Sequence, residues 1–228
     1  MTATTYTGCI DGIQAIPIQV EVNVKPSGYP GFRIVGLAQG AVKESKVRVL
    51  AALARCGYHF EDEKVTVNLA PADIRKSGSS YDLAIAVGLL MAKGIVPAER
   101  AVAYMFLGEL SLSAGIRPVS GALPVALCAR SEKRAGIILP ENNAREACIV
   151  PEIEVNGAAS LPSVVSFLKG TGSLTTYSGA GGEDSSDNRV CGGRPAGDEA
   201  DISDVKGQLA AKRALTVAAA GGHNVLMV

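Results

Sequence analysis

Arg75-Lys76-Ser77-Gly78-Ser79-Ser80 sets two cations, three hydroxyls and a glycine in six consecutive residues, just ahead of the apolar run Leu83 to Met91. A loop of this composition before a helix can meet a phosphate with its charges and its backbone N–H groups together. Lys43, Lys46 and Arg48, on the preceding helical segment, extend such a nucleic-acid surface if the two helix starts lie together. The alternative is a solvated loop whose cations pair with Asp73 or Asp82. Ser80 also has two readings. As a nucleophile it needs a base to take its proton. As the residue before a helix starting at Tyr81 or Asp82 it caps free backbone N–H groups. A phosphate loop of the form GxxxxGK[ST] occurs nowhere in the chain. His59 and His223 stand apart without metal partners.

The five cysteines, Cys9, Cys56, Cys128, Cys148 and Cys191, are widely spaced with no CxxC pair, which argues against both zinc and a disulfide framework. Reduced cysteines used as small core residues, and an N-terminus without signal-peptide character, predict a cytoplasmic protein. With 22 basic and 22 acidic residues, no global field draws the chain to nucleic acid or membrane, so any such binding must be local. No apolar run reaches the ~18 residues of a membrane span.

The elements that must position these residues read as alternating strands and helices. With 47% hydrophobic residues, 4% aromatic and no Trp, the core is aliphatic, as suits α/β packing. Ile16 to Val24 alternates apolar and polar residues and is predicted to pair with Tyr6 to Ile10 through the Asp11-Gly12 turn. Strands are predicted at Phe32 to Gly36, Lys64 to Leu69, Met105 to Leu112, Gly136 to Leu139 and Glu152 to Val155. Helices are predicted at Gln39 to Cys56, Leu83 to Met91, Val119 to Arg134, Glu141 to Cys148 and Leu161 to Leu168. The pattern gives two or three layers with mixed strand pairing. Between residues 169 and 200 the composition turns to Gly, Ser, Thr, Asp and Glu, too polar to offset its ordering entropy, and predicts a flexible linker. Beyond it, Val205 to Ala220 has helical spacing and Asn224 to Val228 reads as a buried strand, the opening of a second domain over residues 201 to 228.

Val67 to Leu83, Gly108-Glu109-Leu110-Ser111-Leu112, the Gly36-Leu37 turn and Val42-Lys43-Glu44 resemble the N-terminal domain of the magnesium-chelatase-like AAA+ proteins of the ComM/YifB type. Ile202 to Gln208 and Ala219 to Asn224 resemble the start of that family's ATPase module. The likeness implies a mixed-sheet, Lon-like fold of the ribosomal S5 domain 2-like kind over residues 1 to 168, and a Walker A loop following Val228. Ser80 then falls on the position of the Lon nucleophile, and Leu123 on that of its lysine base. Leucine cannot accept a proton, and Arg75 and Lys76 are expected to be solvated and charged, so no peptidase is implied. Val205 and Gly207 fall where AAA+ modules line the adenine pocket.

For the full-length parent the resemblance implies ATP and Mg as cofactors, DNA as partner, a hexameric assembly and no membrane. For this chain, without the phosphate loop, it implies no bound cofactor and no metal. Three function classes follow: a noncatalytic N-terminal domain of an ATP-driven DNA motor acting in branch migration of incoming DNA, a chelatase-type metal-insertion motor subunit, or a purely structural, oligomerising module.

Overall fold

The computed structural model describes residues 1–27, 29–38, 40–179, 189–191, 202, 205 and 207–226, with the backbone alone at positions 41, 179 and 189–191. They fall into two units, Met1–Gly192 and Gly193–Val228.

In the first unit the predicted hairpin is present: β1 (Thr2–Asp11) and β2 (Gln14–Pro26) are antiparallel, with Cys9 opposite Ile16. The alternation in β2 buries Ile18, Val20, Val22 and Val24. β3 (Gly31–Val35), α1 (Gly40–Arg55) and β4 (Glu63–Ala70) follow, with β3 parallel and β2 antiparallel to β4. α2 (Asp82–Ala92) is buried on every residue, because it lies between the sheet and α1. After the short α3 (Ala98–Ala101) come β5 (Tyr104–Phe106), β6 (Glu109–Leu110) and β7 (Ile116–Arg117). The predicted strand Met105 to Leu112 is therefore split. Gly108, at φ +155°, turns the chain out of the main sheet, and β6 pairs with β7 in a ribbon of its own.

α4 (Ala122–Ser131), β8 (Gly136–Pro140), α5 (Glu141–Ala147), β9 (Glu154–Ala158) and α6 (Leu161–Lys169) complete the expected alternation. Two further strands, β10 (Thr175–Gly179) and β11 (Arg189–Cys191), then join the sheet. Its order is β11-β10-β9-β8-β5-β1-β2-β4-β3, and its pairings are mixed. Successive residues of each inner strand face opposite sides, as the two-residue period demands. Ile138 joins the core beneath α1, α2 and α6, whereas Ile137 and Leu139 join a second core with α4 and α5. This is the three-layer form of the predicted α/β fold.

Two expectations from composition are corrected here. Thr175–Gly179, assigned to the linker, is strand β10, because Tyr177 supplies the buried apolar anchor that the surrounding Gly and Ser lack. Cys148 is disulfide-bonded, against the expectation of five reduced cysteines, while Cys9, Cys56 and Cys128 are free thiols. Sequence spacing carries no signal for a bridge that the tertiary fold brings together. Most of the remaining linker, residues 180–188 and 192–200, lies outside the described residues.

In the second unit α7 (Leu209–Gly221) matches the predicted helix. Residues 223–226 are not a strand, and Val225 and Leu226 are exposed; a strand requires a paired neighbour, and the described residues supply none. Met227 and Val228, the rest of the predicted strand, lie outside the described residues. Among the described residues no helix is long and apolar enough to cross a membrane, and no group of three or more His, Cys, Asp or Glu is placed to hold a metal ion.

Candidate functional site

The loop of residues 77–81 opens onto a cleft of about 360 Å³. Its other walls are Cys9 and Ile10 at the end of β1, and Pro118-Val119-Ser120 ahead of α4. Each wall is fixed by a long-range contact. The Gly108 amide donates to the Ser80 carbonyl at 3.0 Å, and the Leu83 amide donates to the Gly108 carbonyl at 3.1 Å. Ser79 donates its hydroxyl to the Glu109 carboxylate, which also meets Arg117 at 3.4 Å. On the far wall the buried Asn143 amide clamps Val119 through its Oδ1 (3.0 Å) and Nδ2 (2.8 Å). The Cys9 thiol, 3% exposed, donates to the Arg75 carbonyl at 3.6 Å.

Ser80 borders this cleft but does not cap α2. The residue flanking the helix is Tyr81, in helical conformation, and no side chain bonds the free N–H groups there. The buried Asp82 carboxylate takes the place nearest the helix start. It accepts from Arg48 Nε at 2.6 Å, from Arg48 Nη2 at 3.1 Å and from the Leu110 amide at 3.2 Å. Burial pushes the Asp82 carboxyl above its ordinary range, against the pull of Arg48, Ser45 and the Leu110 amide. Arg48 is therefore no outward-facing cation: it ties α1 to the start of α2, and its Nη2 also donates to Ser45 Oγ at 3.2 Å.

Lys76 corrects a second expectation. It has no solvent exposure, and its ammonium donates to the Pro71 carbonyl. Its backbone lies beside the start of α1, bridged to Ala38, with the Lys76 amide 3.4 Å from the Leu37 carbonyl. Burial lowers the affinity of the Lys76 amine for its proton, the nearby Cys9 and Asp73 opposing that effect. The bridge brings the loop ahead of α2, not the start of α2 itself, beside the start of α1, since Asp82 at the start of α2 pairs with Arg48 farther along α1; Arg75, Lys43 and Lys46 are exposed. Lys76 is withdrawn from that surface because its aliphatic stem and charge are folded under the loop.

No Lys, His, Asp or Glu is among the described residues that line the cleft. Leu123 is outside the lining, at the start of α4, where its amide donates to Glu146 Oε1 at 3.0 Å. Tyr81 and Cys9 meet in the wall, where burial and then the Cys9 contact raise the Tyr81 hydroxyl well above its usual range. Val205 and Gly207 are placed in the second unit, Val205 exposed and Gly207 at φ +69°. Cys9, Asn143 and the Arg48–Asp82 pair escaped the sequence reading, since each acts across 24 or more residues of chain.

Residues 20–143 match the family model for subunit ChlI of magnesium chelatase, and residues 201–228 match a second model, magnesium chelatase subunit ChlI. Competence protein ComM of Haemophilus influenzae is 37% identical over 230 residues, 99% of this chain and 43% of that protein. The chain belongs to the magnesium-chelatase-like family of the ComM/YifB type. YifB of Salmonella typhimurium, another ComM/YifB-type protein, is 37% identical over 233 residues, 99% of this chain and 42% of that protein. The chain thus spans less than half the length of these ComM/YifB relatives. Lon protease 2 of Bacillus subtilis is 29% identical over 112 residues, 49% of this chain and 19% of that protein, in keeping with a Lon-like domain in the ComM/YifB family.

Proposed function

We propose that this chain is the noncatalytic N-terminal part of an ATP-driven DNA motor of the ComM kind, working in the cytoplasm on branched DNA during uptake and recombination. The observation that carries the proposal is the ComM likeness along 99% of the chain. Support for the noncatalytic role comes from the cleft, whose described lining residues include Ser80 but no Lys, His, Asp or Glu. Arg75 on the loop ahead of α2, and Lys43 and Lys46 on α1, are exposed cations and are assigned to the DNA backbone. ATP and Mg belong to the full-length parent, in a hexamer, and Val205 and Gly207 contribute to its adenine pocket.

The full-length protein carries the test. ATP-dependent movement of a synthetic four-way DNA junction is the expected result, unchanged by Ser80→Ala and weakened by the triple substitution of Arg75, Lys43 and Lys46 to Ala. The ChlI family match favours a second reading, metal insertion into a porphyrin. ATP-dependent magnesium insertion with no junction movement would replace the DNA reading by that one.

A further inference from the structure

A second concave surface lies on the sheet face that packs toward α4. Tyr6 of β1, Gln19 of β2 and Ala70 of β4 form one row across three strands, Tyr6 opposite Gln19 and Gln19 opposite Ala70. With Pro17, Pro71 and Glu132 they line a hollow of about 300 Å³. One face of the Tyr6 ring is covered by the Arg134 guanidinium, 3.5 Å from the ring centroid. Arg134 is itself fixed by donating to the Val102 carbonyl at 2.9 Å. The Pro71 wall is held from below by the buried Lys76 ammonium on its carbonyl, which gives that lysine a positioning role.

The chemistry of this hollow is that of a base-stacking site. A cation-backed tyrosine and two proline rings offer flat apolar walls, and aromatic faces of this kind bind any base of a single strand. Arg130 and Lys133, both exposed, flank Glu132 and supply charge for the phosphates of such a strand. Glu132 is an acceptor, and Gln19, whose Nε2 donates to Glu21 Oε1 at 3.4 Å, offers its amide oxygen as a second, so the hollow suits a base edge bearing an exocyclic amino group, as cytosine does.

We propose that the Tyr6 hollow binds single-stranded DNA, stacking one base on Tyr6 and favouring cytosine over thymine, with Arg130 and Lys133 on the flanking phosphates. The proposal deepens the DNA-motor reading and rests on it, but its test needs no motor activity. Fluorescence anisotropy of this chain with labelled oligodeoxycytidylate and oligothymidylate reads the binding directly. Tyr6→Ala is expected to weaken it roughly ten-fold, with Tyr6→Phe close to wild type. Replacing Arg130 and Lys133 by Ala is expected to reduce the salt slope by about two. Glu132→Gln is expected to shrink the preference for cytosine.

Because Tyr6 is half-buried, a photocrosslink between the wild-type chain and an iodinated oligonucleotide, mapped to Tyr6 by mass spectrometry, gives an independent reading. Crosslinks that map elsewhere, or binding indifferent to Tyr6→Ala in a folded variant, overturn the proposal. If the wild-type chain binds no single strand while the full-length protein still moves junctions, the hollow is refuted and the motor reading stands. If neither occurs, both fall.

Discussion

Arg48 holds both oxygens of a carboxylate that has no solvent exposure, and the two residues are 34 positions apart. Removing one partner of such a pair leaves a charge buried alone, so Arg48→Ala is expected to cost about 3–5 kcal/mol in urea denaturation. The deficit has a defined pH dependence. Burial raises the Asp82 pKa in the folded state, so the folded protein holds that proton more tightly than the unfolded one. Stability linked to it is present at low pH and lost as pH rises through the folded value. Without Arg48 the variant should therefore be closest to wild type at about pH 4 and fall away toward neutrality. A pH-independent deficit would show that Asp82 is not the group left exposed to the cost. Lys76 offers a simpler check: brief acylation followed by mass spectrometry should label Lys43 and Lys46 well before Lys76, and equal labelling would contradict its burial.

Helices and strands were legible wherever their pattern is local. The two-residue alternation of Ile18, Val20, Val22 and Val24 sufficed to place β2 and its hairpin partner, since one face of that pair is buried. The loop before α2 was not legible in the same way. Ser77, Gly78 and Ser79 give Lys76 the neighbours of a surface residue, yet the bridge to Ala38 folds its side chain inward. Gly36 sets a backbone constraint two residues ahead of Ala38. It stands at φ +98°, where β3 leads toward α1, and a Cβ there would lie 2.2 Å from the Leu69 carbonyl oxygen of β4. The contact is with the backbone of Leu69, which is paired with Val20 near the end of the β2–β4 ladder, and cannot be relieved by a rotamer change. Gly36→Ala is expected to destabilise the fold by about 3 kcal/mol or more, combining the positive-φ penalty with the clash. A thermal midpoint within a degree or two of wild type would mean that β3 can shift away from β4 freely.

Composition alone ends the first domain at residue 168, and the sheet does not stop there. β10 pairs with β9 through Thr175, Thr176 and Tyr177, and the Tyr177 ring, 5% exposed, sits against Gly157, where a Cβ would meet it at 2.7 Å. A glycine with an aromatic ring packed over it is a signal that appears only once the strands are paired, because the two residues are separated by α6. A chain ending at residue 168 would leave the β9 edge open and empty the space filled by Tyr177. Loss of a large buried side chain costs about 3 kcal/mol or more, and an open inner strand adds unpaired backbone groups and an edge prone to association. A chain ending at residue 179 should therefore melt higher than one ending at 168, and the shorter chain should aggregate on heating. Tyr177→Ala in the longer chain separates the two contributions: it should reproduce most of the stability loss while leaving the edge covered. Equal melting of the two truncated chains would place the end of the cooperative unit at α6, as the composition had indicated.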